Sequence, residues 1–258
     1  MINKKKILIT GAGGYLGSNL SHQFSRLNYD LVCLDKDKNK LNLLKKKLLK
    51  FKNKKYYFPV DITNQKKIFE VYKYLKKNKF NIDIIINNAA NNPPVKKIRK
   101  AKLMNIQDWH NDLDVGLMGA YIVTKTFIDF LIKNKGGSII NIGSDLSVLS
   151  PNHEIYRYEK QNFLKPISYS VIKHGLVGLN KYFATLYAKD KIISNMVSPG
   201  PIDNNIPNYL RKRLIANTPM KKLCSVDEVF KLILFFCDTR NRHITGQNIV
   251  IDGGKSLI

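Results

Sequence analysis

Lys6-Ile7-Leu8-Ile9-Thr10-Gly11-Ala12-Gly13-Gly14-Tyr15-Leu16-Gly17 decides the architecture of this chain. A short apolar run reads as a strand, the glycines as a tight turn. Leu16, Leu20, Phe24 and Leu27 then recur at helical spacing. Strand, glycine turn and helix together form a phosphate cradle. Glycines let the backbone approach a pyrophosphate, and the helix N-terminus offers unpaired N–H groups and the positive end of its dipole. Outward from it, Asp30-Leu31-Val32-Cys33-Leu34-Asp35 reads as a second strand. Asp35 lies 18 residues beyond Gly17, where a carboxylate takes ribose hydroxyls and repels a 2′-phosphate. NAD is therefore expected over NADP, with Lys36 and Lys38 softening the preference. As a turn or helix cap, Asp35 would serve structure equally well.

The same alternation continues. Tyr56 to Val60 reads as a third strand ending at Asp61-Ile62, and Asn64 to Lys79 as a helix. Ile82-Asp83-Ile84-Ile85-Ile86 reads as a strand buried on both faces, as in a parallel sheet. It runs into Asn87-Asn88-Ala89-Ala90, small and polar residues at a strand's carboxyl end, where ligands sit in open α/β sheets. Ile106 to Lys133 reads as one long helix, Gly137 to Ile142 as the strand that delivers Ser144, and Ile192 to Val197 as a strand leading to Pro199-Gly200. On a further helix, Tyr169 and Lys173 are one turn apart on one face. An ammonium beside a phenol favours the phenolate, lowering a pKa that starts at about 10 and making Tyr169 a candidate acid/base.

The totals bound the class. The chain has 258 residues, 44% of them hydrophobic, enough for a substantial core. No run of eighteen apolar residues marks a membrane span, and the N-terminal apolar run stops at Thr10-Gly11, too short for a signal peptide. Cys33, Cys224 and Cys237 have neither metal nor redox spacing, which suits buried thiols in a cytoplasmic protein. His22, His110, His174 and His243 show no ligand spacing, and no metal is expected. The net charge of +25 comes mostly from lysine spread along the whole chain. No nucleic-acid reader motif accompanies it, and abundant Asn and Ile fit a codon bias rather than a nucleic-acid or membrane surface.

The ordered set Thr10-Gly11-x-x-Gly14-x-x-Gly17, Asp35, Asp61, Asn87-Asn88-Ala89-Ala90, Ser144, Tyr169-x-x-x-Lys173, Ser198-Pro199-Gly200-Pro201-Ile202 and Asp252-Gly253-Gly254 resembles the short-chain dehydrogenase/reductase superfamily over essentially the whole chain. The resemblance implies an α/β fold: a single Rossmann-fold domain over 1–258, doubly wound, with a seven-stranded parallel sheet and helices on both faces. It implies hydride transfer between a nicotinamide and an alcohol or carbonyl carbon. Carried over by position, Gly11, Gly14, Tyr15, Leu16 and Gly17 line the pyrophosphate, and Asp35 takes the adenosine ribose. Asp61 and Ile62 border the adenine, and Asn88, Ala89 and Ala90 pass along the cofactor. Pro199, Gly200 and Ile202 meet the carboxamide end. Tyr169 is the acid/base, Lys173 holds the nicotinamide ribose, and Ser144 bonds the reacting oxygen. The long helix implies a homodimer or homotetramer.

Two departures stand out. The glycine spacing is that of longer family members. The family's relay asparagine, three residues before Gly119, is replaced by Gly116, leaving Asp114 or nothing to order that water. Ser144 and Tyr169 are also 25 positions apart, about twice the separation usual in short members of the family. The insert at about 150–166 therefore faces substrate, with Asp145, His153 and Arg157 as candidate substrate contacts and Lys160 nearby. The basic stretch Lys96-Lys97-Ile98-Arg99-Lys100-Ala101-Lys102 could face the same cleft. A lid is expected at about 201–217, where Arg211 and Arg213 could clamp an anion. Ser144-Asp145-Leu146-Ser147, the insert and Val115-Gly116-Leu117-Met118-Gly119 resemble oxidoreductases of flagellin modification and surface-glycan synthesis. That implies a sugar, sugar phosphate or nucleotide sugar. The alternatives are reduction of a 3-oxoacyl carrier-protein or small carbonyl substrate, or a catalytically silent dinucleotide-binding protein.

Overall fold

Seven parallel strands form one sheet in the order β3-β2-β1-β4-β6-β8-β9, from β1 (Lys6–Thr10), β2 (Asp30–Asp35), β3 (Lys55–Pro59), β4 (Ile84–Asn87), β6 (Gly137–Ile142), β8 (Ile192–Pro199) and β9 (Asn248–Ile251). The computed structural model describes residues 5–91, 96–97, 105–156, 163–238, 240–241 and 243–258. Parallel pairing needs a crossover each time. Those crossovers are supplied by α1 (Tyr15–Arg26), α2 (Lys38–Leu48), α3 (Gln65–Lys77), α4 (Ile106–Leu113) with α5 (Gly119–Lys133), α6 (Ile167–Leu186) and α8 (Val226–Cys237); α7 (Asn208–Ala216) lies within the expected lid. The strand order reverses between β1 and β4, which opens a crevice at their carboxyl ends.

Apolar residues on both faces of the sheet explain the two-layer cover. Ile7 and Ile9 pack with Leu20, Phe24, Phe230 and Phe236 of α1 and α8. Leu8, Ile85 and Ile139 pack on the other face with Phe127, Phe130 and Phe183 of α5 and α6. Cys33 and Cys237 are buried among them, and burial pushes both thiols up to about 12, so neither is a nucleophile.

Two features depart from the sequence reading. The helix expected over 106–133 contains a π turn, Asp114–Met118, between α4 and α5. By length and mean hydropathy (1.5) this helical stretch, Ile106–Lys133, could cross a membrane, but Val123, Phe127, Phe130 and Leu131 of α5 lie inside the core. Secondly, the described part of the insert holds secondary structure the sequence did not announce. It contains a 3-10 turn, His153–Tyr156, and a short strand, β7 (Phe163–Leu164). That strand pairs antiparallel with β5 (Lys96–Lys97), the following-on segment of β4. Arg157, Lys160 and the remainder of the basic stretch, 98–102, lie outside the described residues.

Gly116 sits inside the π turn, and the space for a side chain there is already taken: an ideal Cβ would lie 2.7 Å from Ile172 Cγ2 of α6. An asparagine is therefore not accommodated. Asp114 is exposed and does not reach the cleft, so it does not replace the relay side chain. Restoring the family residue with Gly116→Asn is expected to cost about 1–3 kcal/mol from overpacking. That is a melting temperature lower by roughly 2–12 °C, read by calorimetry, and relieved by adding Ile172→Ala. An unshifted melting temperature would show that Ile172 yields without cost.

Candidate active site

A cleft of about 660 Å³ runs along the carboxyl ends of the strands, from Asp35 at the end of β2 to Tyr169 and Lys173 on α6. At its first end, Gly11 adopts φ +61°, where a Cβ would also press on Ala89. A Cβ on Gly17 would run into the Gly11 carbonyl, so this helix can approach the strand only with glycine there. Thr10 Oγ1 accepts from the N–H groups of Asn88 and Ala89, both at 3.0 Å. Asn88 Nδ2 donates to the Thr10 and Gly11 carbonyls at 2.9 and 3.1 Å. The turn is thereby locked to the end of β4. No side chain caps α1 and its first turn holds no acidic residue. Its N–H groups are left to face the cleft, the donor set a pyrophosphate needs.

Asp35 Oδ2 accepts from Gly13 N at 2.8 Å and Oδ1 from Asp37 N at 2.9 Å. The carboxylate thus shapes the glycine turn as well as lining the cleft beside Lys36 and Lys40. Asp61 lines it with Ile62 and is braced by Thr63, whose N–H and Oγ1 donate to it at 2.9 and 2.8 Å. Ala89, Ala90, Pro199, Gly200 and Ile202 continue the wall. Tyr15 Oη donates to the Asp203 carbonyl at 2.7 Å, joining the glycine turn to the lid. All the residues expected to bind cofactor, Gly11, Gly14, Tyr15, Leu16 and Gly17 included, line this one cleft. Its residues fit a dinucleotide: uncapped N–H groups in the middle, a carboxylate at one end and a tyrosine–lysine pair at the other.

At the second end, Lys173 is buried and its Nζ donates to the Ile142 carbonyl at 2.8 Å. Its ammonium lies 5.5 Å from the centre of the Tyr169 ring, and that of Lys165 only 4.1 Å away. Two cations therefore flank one phenol. Burial pulls Lys173 down to about 8, helped by the neighbouring Lys165 charge. Burial likewise brings Lys165 to about 8, opposed by Asp145. Contrary to the lowering expected from Lys173, burial pushes the Tyr169 phenol up to about 12, with a hydrogen bond to Ser144 working against the rise and the Asp145 charge adding to it. Ser144 follows β6 and caps a 3-10 turn, Asp145–Ser147, accepting from Leu146 N at 3.2 Å. The three residues expected to be catalytic thus meet at one point. The arrangement can hold a hydroxyl or carbonyl oxygen and exchange a proton with it. Among the described residues no group of three or more His, Cys, Asp or Glu could hold a metal.

The substrate contacts read from the sequence need correction. Asp145 lines the cleft, but its carboxylate is engaged by Ser144, Leu146 N and Lys255. His153 is exposed and outside the cleft. Arg211 pairs with Asp203 at 2.8 Å, and Arg213 Nη1 donates to the Ile155 carbonyl at 3.2 Å, so the lid arginines brace loops. From the insert at about 150–166, Tyr156 and Lys165 line the cleft, as do Ile206, Leu210 and Leu214 of the expected lid; Lys255 also lines it, and is the residue the sequence reading passed over. The sequence signal for Tyr156 and Lys165 is their place in the insert between Ser144 and Tyr169.

Comparison with known proteins adds the following. The family model described as enoyl-(acyl carrier protein) reductase matches residues 11–256. The chain is 33% identical over 260 aligned residues, 98% of each chain, to the 3-oxoacyl-[acyl-carrier-protein] reductase FabG of Buchnera aphidicola subsp. Baizongia pistaciae. It superposes on a short chain dehydrogenase from Leptospira borgpetersenii with bound NAD+ at TM-score 0.83, 25% identity, covering 98% of this chain and 93% of that one. It has the fold of a gluconate 5-dehydrogenase from Burkholderia cenocepacia in complex with NADP and tartrate, at TM-score 0.83, 22% identity, covering 98% and 96%.

Proposed function

This chain belongs to the short-chain dehydrogenase/reductase family, and within that family we propose that it moves hydride between NAD and a secondary alcohol or ketone of a sugar-like, polar substrate. The observation that carries the reading is the substrate end of the cleft. Tyr156 and Lys165 line it beside Tyr169, together with the Asp145–Lys255 ion pair, whose charges are already matched to each other. Such a wall suits hydroxyls, a carboxylate or a phosphate better than an acyl tail. A sugar phosphate or nucleotide sugar of a surface-glycan or flagellin-modification route, in the cytoplasm, is the finer form of this proposal.

A nicotinamide held between the glycine turn and Lys173 would supply or accept the hydride. The chain's own residues do the rest. Tyr169 Oη gives its proton to the carbonyl oxygen in reduction, or takes one from the hydroxyl in oxidation. Ser144 bonds the same oxygen and steadies its developing charge. Lys173, fixed by the Ile142 carbonyl, holds a positive charge against the phenol and the ribose side of the cleft. The lid side chains Leu210 and Leu214 exclude water.

A second reading is reduction of a 3-oxoacyl thioester on a carrier protein, favoured by the 33% identical relative. One assay separates the two. NAD(P)H absorbance is followed against sugars, sugar acids, sugar phosphates and nucleotide sugars, with acetoacetyl and longer 3-oxoacyl thioesters in parallel. Turnover of a polar alcohol or ketone supports the proposal. Activity confined to thioesters overturns it in favour of the second reading.

The preference for NAD rests on Asp35. Asp35→Asn keeps an acceptor for Gly13 N–H while removing the charge, and is expected to raise the NADP/NAD ratio of kcat/KM at least about tenfold, about 1.4 kcal/mol. Equal loss with both cofactors would give the discrimination to another group. Assembly into a homodimer or homotetramer belongs to the same proposal. α6 carries Ile167, Val171, Tyr182 and Leu186 between 41% and 60% exposed, more apolar surface than a lone helix face needs. Light scattering at the mass of one chain would remove it.

A further inference from the structure

Asp252-Gly253-Gly254, the last motif of the chain, has a task beyond closing the sheet. Gly253 and Gly254 both adopt left-handed conformations, φ +67° and +87°, and a Cβ on Gly253 would lie 2.8 Å from Thr218. Asp252 caps the turn, accepting from Gly254 N at 3.0 Å and Ser256 N at 2.7 Å. The result is a hairpin bend that sends the next residue, Lys255, back into the cleft. Its Nζ lies 2.6 Å from Asp145 Oδ2, and the two side chains are only 12% and 5% exposed. The other carboxylate oxygen, Asp145 Oδ1, lies 2.7 Å from Ser144 Oγ and 2.9 Å from Leu146 N.

Chemistry fixes the direction of that bond. A carboxylate paired with an ammonium only accepts, so Ser144 is the donor and its single hydroxyl proton is spent on Asp145. The reaction needs that proton elsewhere, on the reacting oxygen or on the Tyr169 phenolate. Asp145 can release it because Lys255 and Leu146 N–H remain as donors to the carboxylate.

We propose that Lys255 is a positioning residue for the reaction: held by the Asp252-Gly253-Gly254 turn, it satisfies the far oxygen of Asp145 and so lets Ser144 turn its hydroxyl from Asp145 toward Tyr169 and the reacting oxygen. Lys255→Met leaves a buried carboxylate short of one donor. Asp145 then either draws the Ser144 hydroxyl closer, as its remaining side-chain donor, or swings to the other ammonium that faces it, Lys165. The remaining ionisable groups facing Asp145 are the Tyr156 and Tyr169 phenols.

The proposal rests on the reading of this site as an oxidoreductase centre, and the test separates the two. Turnover is measured with the substrate of the panel above that reacts fastest, for the wild type, Lys255→Met, Lys255→Arg, Asp145→Asn and the Lys255→Met/Asp145→Asn pair. Lys255→Met is expected to lower kcat about tenfold or more, with substrate KM within about threefold, unchanged cofactor affinity by nicotinamide fluorescence, and most of kcat recovered in Lys255→Arg. Against Asp145→Asn, Lys255→Met should cost far less, since the two act through one contact. Equal costs in both backgrounds, or a change in KM alone, would overturn the proposal. Crystal structures of wild type and Lys255→Met decide without any substrate: the proposal needs the Ser144–Asp145 contact to be altered, and an unmoved Ser144 and Asp145 sink it. A panel in which nothing reacts is a failure of the functional reading, not of this contact, which the crystal structures then judge alone.

Discussion

Tyr169→Phe is expected to reduce turnover by about 10²–10⁴-fold while leaving NAD affinity within about twofold. The substitution removes one oxygen and nothing else. The ring stays between the Lys165 and Lys173 ammonium groups, 4.1 and 5.5 Å from its centre, so the packing that shapes the cleft survives. What is lost is the proton that Tyr169 exchanges with the reacting oxygen and the partner of Ser144. Single-turnover absorbance separates this from a cofactor effect. Undiminished turnover would remove Tyr169 from the chemistry, and a protein that binds NAD without any turnover in either form would be a silent binder. The pH dependence has a definite sign. With burial holding the phenol up to about 12, the protonated form dominates at neutral pH. Reduction, which consumes that proton, should be well served there. Oxidation, which needs the phenolate, should rise with pH.

Lys173→Met should have two opposite effects. Turnover is expected to fall about 10²-fold or more, as when a charge aimed at the reacting group is deleted. Stability of the cofactor-free protein should rise. Lys173 is 5% exposed, and burial brings it to about 8, below the value of about 10.4 for an unfolded lysine. Between those values the unfolded chain binds more protons, so stability climbs as pH rises from about 8 to about 10.4. Below about 8 the folded protein carries the buried charge at full cost. A methionine of similar length avoids that cost, and each kcal/mol gained appears as roughly 2–4 °C of melting temperature. Thermal scans at pH 7 and at pH 10.4 check this. The variant should gain at pH 7, and its stability should climb less with pH, the remaining climb belonging to Lys165. A variant that melts lower at pH 7 would show that the bond to the Ile142 carbonyl outweighs burial.

The sheet and the cofactor half of the site were legible because their signals are local. Apolar runs, the glycine turn and Asp35 lie within one strand–turn–helix–strand unit, and only glycine fits where Gly17 meets Gly11. α8 likewise carries a local signal, since Ser225 and Glu228 form a capping box at its start. The π turn at Asp114–Met118 was not readable. Its five residues continue a helical pattern, and the side chain that fills the space beside Gly116, Ile172, lies on another helix. Asp145 was read as a substrate contact because it adjoins Ser144. Its ion-pair partner lies 110 positions away, and in a chain with 44 lysines and arginines one more lysine carries no signal. That the insert faces substrate was legible from its place between Ser144 and Tyr169; which of its residues reach the cleft, Tyr156 and Lys165, was not, since no periodicity describes its path.

The pairing of Lys96–Lys97 with Phe163–Leu164 bears on how such a protein acquires a new substrate. Two segments more than sixty positions apart in the gene are stitched into one ribbon beside the chemistry. A recombination event or a designed graft that imports the insert alone would bring one edge of that ribbon without its mate. Specificity in proteins with this ribbon should thus be inherited through both segments together, and chimeras that exchange them as a matched pair should keep their fold and change their substrate where single exchanges lose both.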